Sequence, residues 1–207
     1  MRRIATNKYI IRPARNKMAD HKKKPEMPQL KKKIGYYIPK SVIRNHLIYV
    51  WNELTGMKYS IRIKKKAFNT LHYALEHQLC ECLRAAKRMI NLSNKHVITA
   101  SELYLARCLL FANISKQVNR KRVCKAVADN ACRALSQACK VSLSKKVNKN
   151  PLRPFNTYDE IRRLLLDLIY EITQSIINDH AEDLTLIKES HVTDALRKKG
   201  LRKHYLF

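Results

Sequence analysis

A chain of 207 residues with 43 Lys and Arg against 16 Asp and Glu, a formal charge of +27, repels itself when compact unless a polyanion neutralises it. Nucleic acid fits that role, since each neutralised phosphate releases counterions, and an anionic membrane surface is the weaker rival. No apolar run approaches the roughly 18 residues of a spanning helix, and no apolar segment follows the basic start, so neither a transmembrane protein nor a secretory signal is expected.

With 45% apolar residues the chain can build real cores, and only three glycines and six prolines predict an all-α protein. Six cysteines, Cys80, Cys82, Cys108, Cys124, Cys132 and Cys139, form no CxxC pair, and His72 and His77 complete no ligand set. They read as small, buried, reduced thiols, with no metal and no cofactor. There is no Gly-rich phosphate loop and no nucleophile beside a plausible base, so an enzyme with a small-molecule substrate is not expected.

Residues 1–36 hold twelve Lys and Arg against Asp20 and Glu26, including the runs Lys22, Lys23, Lys24 and Lys31, Lys32, Lys33. Pro13, Pro25 and Pro28 interrupt any helix, and residues 1–38 read as a flexible, disordered basic arm. Pro39-Lys40-Ser41 suits a helix start. Val42 to Leu54 then carries Val42, Leu47, Val50, Trp51 and Leu54 as a short amphipathic helix, stopped at Thr55-Gly56-Met57. A basic loop follows, with Lys58, Arg62, Lys64, Lys65 and Lys66.

Phe68 to Leu92 contains neither Gly nor Pro, and Phe68, Leu71, Leu75, Leu79, Leu83, Ala86 and Met89 recur at steps of three and four. This predicts one long helix that needs shorter helices packed over it. Ser93 to His96 breaks the pattern, Val97-Ile98 is a short extended pair, and Thr99-Ala100-Ser101-Glu102 is a capping box opening a short helix. A further helix is expected over Val118 to Lys140, with Arg120, Lys121, Arg122, Lys125 and Arg133 on its basic side, and then a cationic loop over 142–154.

A weaker copy of the unit follows. Thr157-Tyr158-Asp159-Glu160 reads as a second capping box, and Tyr158, Ile161, Leu165, Leu168, Ile172 and Ile176 mark a second long helix. Leu184 to Ile187 repeats the extended segment, and Lys188 to Lys199 is a short helix closed by Gly200. Two such units in one chain can bury their apolar faces against each other.

These residues resemble the core histone family. IYVWNEL at Ile48 to Leu54, IKKKAF at Ile63 to Phe68, SNKHVITASEL at Ser93 to Leu103 and ARCLLF at Ala106 to Phe111 are similar to the 2B class. KAVADNACRAL at Lys125 to Leu135 resembles that class's extra C-terminal helix. The second unit stands where a 2A-class partner would, and Ile187 with KESHVTDALR fits it, yet ALRKKGLRKHYLF at Ala195 to Phe207 is more similar to the end of histone 4. Its first helix is open: the Val123 to Cys139 helix serves both units, or the second unit is truncated. The arrangement resembles the fused histone doublets of giant DNA viruses.

The resemblance implies two histone folds, over 39–140 and 141–207, joined in an intramolecular handshake pseudo-heterodimer. It implies a structural protein that packages duplex DNA without sequence specificity in nucleosome-like particles with other core histones, of the histone 3 and histone 4 types. The expected location is chromatin, in a nucleus, or in a host nucleus, viral factory or virion if the source is viral. A histone-fold subunit of a transcription or replication complex is the alternative.

Phosphate contact is implied for the helix start at Lys40 and Arg44, for Arg62, Lys64, Lys65 and Lys66 in one loop, and for Lys95, His96 and Thr99 in the next. The second unit offers Lys145, Lys146, Lys149 and Arg153, and the arm offers its two lysine runs. Core histones place a second-loop Arg in the minor groove, and His96 and Leu186 stand at the matching places here. Looser wrapping is therefore expected. Residues 155–195 carry nine acids against three Lys and Arg, a surplus expected to balance the basic first unit rather than to form a docking patch.

Overall fold

The structure is a computed structural model and describes residues 37–56, 60–112, 129–147, 156–180 and 186–201. Expectations for residues 1–36 of the basic arm, for Met57 and Lys58, for 118–128, for 148–155, for Leu184 and Thr185 and for the last six residues lie outside these. The arm expected over 1–38 ends sooner than that: Ile38 is buried in the core because its amide is held by Glu76 at 2.7 Å.

Helix α1, Lys40–Thr55, opens after Pro39, whose ring already holds a φ of −57°. It buries Ile43, His46, Leu47, Val50 and Trp51, one face at steps of three and four. Gly56, at φ 60°, donates its amide to the Asn52 carbonyl and ends the helix. Helix α2, Lys65–Leu92, starts three residues before the expected Phe68. The apolar pattern can only mark where burial begins. The backbone turns helical as soon as Lys64 leaves the extended state, and lysine favours a helix. Lys65 and Lys66 therefore belong to the first turn of α2 and not to a loop.

Strand β1, Val97–Ile98, and helix α3, Ala100–Leu110, match their expectations, including the Thr99–Glu102 capping box. Helix α4 is described over Asp129–Ala138, two residues short of the expected end at Lys140. The chain turns there because Lys140 adopts a left-handed φ of 52°. The segment expected to be all loop begins instead with strand β2, Ser142–Leu143, pairing in parallel with β1 in the register Val97 to Ser142 and Ile98 to Leu143. A two-residue strand carries too little pattern to be seen without its partner.

Helix α5, Thr157–His180, has a different cap from the one expected. Asn156 and Asp159 exchange the reciprocal bonds: the Asp159 amide donates to Asn156 Oδ1 at 2.9 Å, and the Asn156 amide to Asp159 Oδ2 at 3.3 Å. Thr157 and Glu160, buried inside the helix, face other elements. Thr157 donates to the Ile98 carbonyl at 3.4 Å, and Glu160 accepts from Arg107 at 3.0 Å. Helix α6, Glu189–Lys198, is closed by Gly200 at φ 69° as expected.

The described chain is thus a short helix, an extended residue, a long helix, a strand and a short helix, followed by a short helix, a strand, a long helix, an extended residue and a short helix. The two units interlock. Helix α1 packs on α5, α6 on α2, α4 on both long helices, and α2 crosses α5. One continuous core runs through both units, from Ile43, Trp51, Leu75 and Leu79 to Leu165, Ile169, Val192 and Leu196. Both long helices bury more than one face, because each is covered by its own unit and by the other. Four of the expected buried thiols, Cys80, Cys82, Cys132 and Cys139, lie in this core, and Cys108 is half-buried.

Polar contacts fix the docking. Arg107 on α3 reaches Glu160 at 3.0 Å and also Asp167, both on α5 and all three buried. Gln78 on α2 donates to the Leu201 carbonyl at 2.9 Å, and the buried Glu76 accepts from the Ile38 amide at 2.7 Å.

Candidate nucleic-acid interface

The interlock decides which basic residues meet. At one end Ile63 bridges Ile187 in parallel: the Lys64 amide donates to the Ile187 carbonyl at 3.0 Å, and the Ile187 amide to the Arg62 carbonyl at 2.8 Å. Arg62 and Lys64 therefore flank a residue next to Lys188, with Lys65 and Lys66 one step on, and all five side chains are exposed. Lys188 is a candidate for this cluster that sequence reasoning missed. Its signal was available: it stands at the cap of α6, as Thr99 stands at the cap of α3.

At the other end β1 lies beside β2, and the Ser144 amide extends the ladder to the Ile98 carbonyl at 2.8 Å. This brings Lys95 and His96, just before β1, to the same end as Lys145 and Lys146, just after β2, all four exposed. Lys95 shares its charge with Glu102 at 2.9 Å. The Thr99 hydroxyl is engaged with the same carboxylate, and the Thr99 amide donates to it at 2.9 Å, so this threonine acts as a cap. Lys149, Arg153 and the two lysine runs of the arm lie outside the described residues.

Helix ends add to the pattern. Helices α1 and α2 have no acid in the first turn, and their starts carry Lys40 and Arg44, and Lys64, Lys65 and Lys66. Lys40 also reaches Asn69 Oδ1 at 3.4 Å. Cations at a helix N-terminus oppose its dipole, and an anion there satisfies both the amides and the charges. The other described helices carry a carboxylate in the first turn instead: Glu102, Asp129, Asp159 with Glu160, and Glu189. The 28 residues of α2 make a rod of about 42 Å. The two clusters lie at opposite ends of this rod.

The acids of α5 are largely paired within the molecule. Glu160 and Asp167 hold Arg107, Glu171 holds Lys199 at 2.7 Å, Asp179 holds Lys198 at 2.6 Å, and Asp159 holds Arg162 at 2.8 Å. Among the described residues no group of three His, Cys, Asp or Glu could hold a metal ion, and no helix is long and apolar enough to cross a membrane.

Two helix–strand–helix units joined through paired loops and crossed long helices define the class: the described chain is an all-α histone fold. The crystal structure of the histone from Methanopyrus kandleri is similar to it, with a TM-score of 0.52 and 15% identity over 78% of this chain and 95% of that one. An alignment over 78% of the chain is longer than either unit, so it spans both. At 15% identity the likeness is one of fold. No protein-family profile and no curated protein matches the sequence.

Proposed function

We propose that the chain is a structural histone that packages duplex DNA without sequence specificity. The observation that carries this reading is the double loop pairing, Ile63 with Ile187 and Val97-Ile98 with Ser142-Leu143, which gathers exposed cations at both ends of α2. Arg62, Lys64, Lys65, Lys66 and Lys188 then grip phosphates at one end. Lys95, His96, Lys145 and Lys146 grip them at the other, and Lys40 and Arg44 add a third contact at the start of α1. None of these is placed to read a base edge before a groove is engaged, so affinity rests on phosphate charge.

The finer reading is a 2B-like unit followed by a 2A-like one, with α4 as the first helix of the second unit, which moves the boundary ahead of Asp129. The partners are then histones of the 3 and 4 types, the assembly is nucleosome-like, and the location is chromatin or, for a viral source, a viral factory or virion.

The test is binding of the full chain to duplexes of unrelated sequence across a salt series. Equal affinities are expected, with a steep fall of log K against log salt. Replacing Arg62, Lys64 and Lys188 by Ala should shallow that slope by about 0.9 for each phosphate no longer neutralised. A slope unchanged in this triple variant, or a marked preference for one sequence, refutes the reading.

A further inference from the structure

Two thiols with no part in the proposed DNA-facing loops lie together where α4 packs on α2. Cys80 sits in the middle of α2, and Cys139 follows the last turn of α4, 59 residues further along the chain. The Cys139 thiol donates to the Cys80 backbone carbonyl, Sγ to oxygen 3.8 Å, which sets the two cysteines side by side. Both are core residues, 4% and 8% exposed. The turn carrying Cys139 is tied down by its amide on the Leu135 carbonyl at 3.0 Å, the Val141 amide on Ser136 at 2.9 Å, and Lys87 Nζ on the Lys140 carbonyl at 3.1 Å. The sulfur is therefore held against α2 by fixed backbone.

We propose that Cys80 and Cys139 are a redox pair whose oxidation to a disulfide staples α4 to α2 and so, on the unit boundary proposed above, one unit to the other. The oxidant is a peroxide. The Cys139 thiolate attacks one oxygen of hydrogen peroxide, the O–O bond breaks, and a sulfenic acid forms as hydroxide leaves and is protonated to water. The Cys80 sulfur then attacks the Cys139 sulfur. The S–S bond forms, the S–O bond breaks, and the departing hydroxide takes the Cys80 proton as a second water. Two thiols lose two electrons and two protons, and one peroxide becomes two waters.

The surroundings suit these roles. The hydrogen bond from Cys80 holds the Cys139 thiol below its ordinary range against the effect of burial, and the Arg84 guanidinium helps. Cys80 keeps its proton, through the same bond and through burial. Elsewhere in the core, burial pushes Cys82 up to about 12 and Cys132 up to about 11, which leaves both unreactive.

The experiment treats the full-length protein with hydrogen peroxide, then maps peptides without reduction and records melting curves. A cross-linked peptide pair joining Cys80 to Cys139, two hydrogens lighter than the thiols, is expected. The melting temperature should rise by roughly 10 °C and fall back with a reducing agent. Cys80→Ser and Cys139→Ser should each lose the cross-link, while Cys132→Ser keeps it. A cross-link that joins other cysteines, oxidation of Cys139 to sulfinic acid with no cross-link, or a bond that leaves the melting temperature unchanged would overturn the proposal. Because the wild-type chain carries the decisive readout, a variant that misfolds does not remove the test.

Discussion

Arg107 shows how one side chain ties the two units together. Its guanidinium sits between Glu160 and Asp167 in the core, 7% exposed, with the carboxylates at 1% and 0%. Burial costs these groups solvation, and the pairing offsets that cost only while the guanidinium is present. Arg107→Ala should destabilise the protein by about 3–5 kcal/mol, read from urea unfolding; a loss below 1 kcal/mol would show that the cluster is well hydrated. Glu102 gives a pH signature. Burial raises its carboxyl, but bonds from the Thr99 hydroxyl, Lys95 and backbone amides outweigh that and hold it at about 2, against an ordinary 4.5. A depressed carboxyl adds stability above its unfolded value and loses it as pH falls through the folded one. Wild type should therefore exceed Glu102→Gln in stability above pH 4.5, and the gap should close towards pH 2. A gap that is constant with pH would contradict this.

Among the elements, the helix ends carry the most information. Three helices finish with the same pair of carbonyl-capping bonds and a left-handed residue: Asn94 at φ 52° after α2, Lys140 at φ 52° after α4, and Gly200 at φ 69° after α6. Gly and Asn take that conformation readily, whereas in lysine the Cβ crowds the backbone. Lys140→Gly should stabilise the chain by about 0.5–1 kcal/mol in thermal or urea unfolding, and a destabilised variant would show that the lysine side chain makes a compensating contact. The helix starts divide differently. Those of α1 and α2 are cationic and those of the other described helices acidic, which assigns the open positive ends to the first unit. Periodicity made α1, α2, α5 and α6 legible. It placed the start of α2 late, because Lys65 and Lys66 are helical but solvated. It put the α5 cap one residue late, because Thr-x-x-Glu fits the cap pattern while Asn156 and Asp159 make the bonds.

For the whole molecule, the proposed DNA binding would use the basic clusters at both ends of α2 at once. By the resemblance, His96 and Leu186 would stand where core histones use a groove-inserting Arg; His96 is exposed, and Leu186 is half-buried beside the Ile63–Ile187 bridge. In particles assembled with partner histones, nuclease digestion should therefore give shortened, diffuse fragments; sharply bounded full-length fragments would count against loose wrapping. The acids of the second unit fit the same division of labour. Arg107 and the lysines at the end of α6 pair with most of those described on α5, so these acids do not draw on the loop cations.

Charge, helix content, the two-unit series and the lysine-rich loops follow from local composition and spacing, which is why they were readable in the chain alone. The parallel pairings were not. A strand of two residues and a single bridging isoleucine gain their meaning from a partner more than forty residues away, and no local pattern encodes that distance. Tertiary structure alone decided that Lys188 joins Arg62 and Lys64, that Lys145 and Lys146 lie at the same end of α2 as Lys95 and His96, and that Cys80 meets Cys139. The physical reason is the interlock: neither unit can cover its long helix by itself, so each completes the core, and the basic surface, of the other.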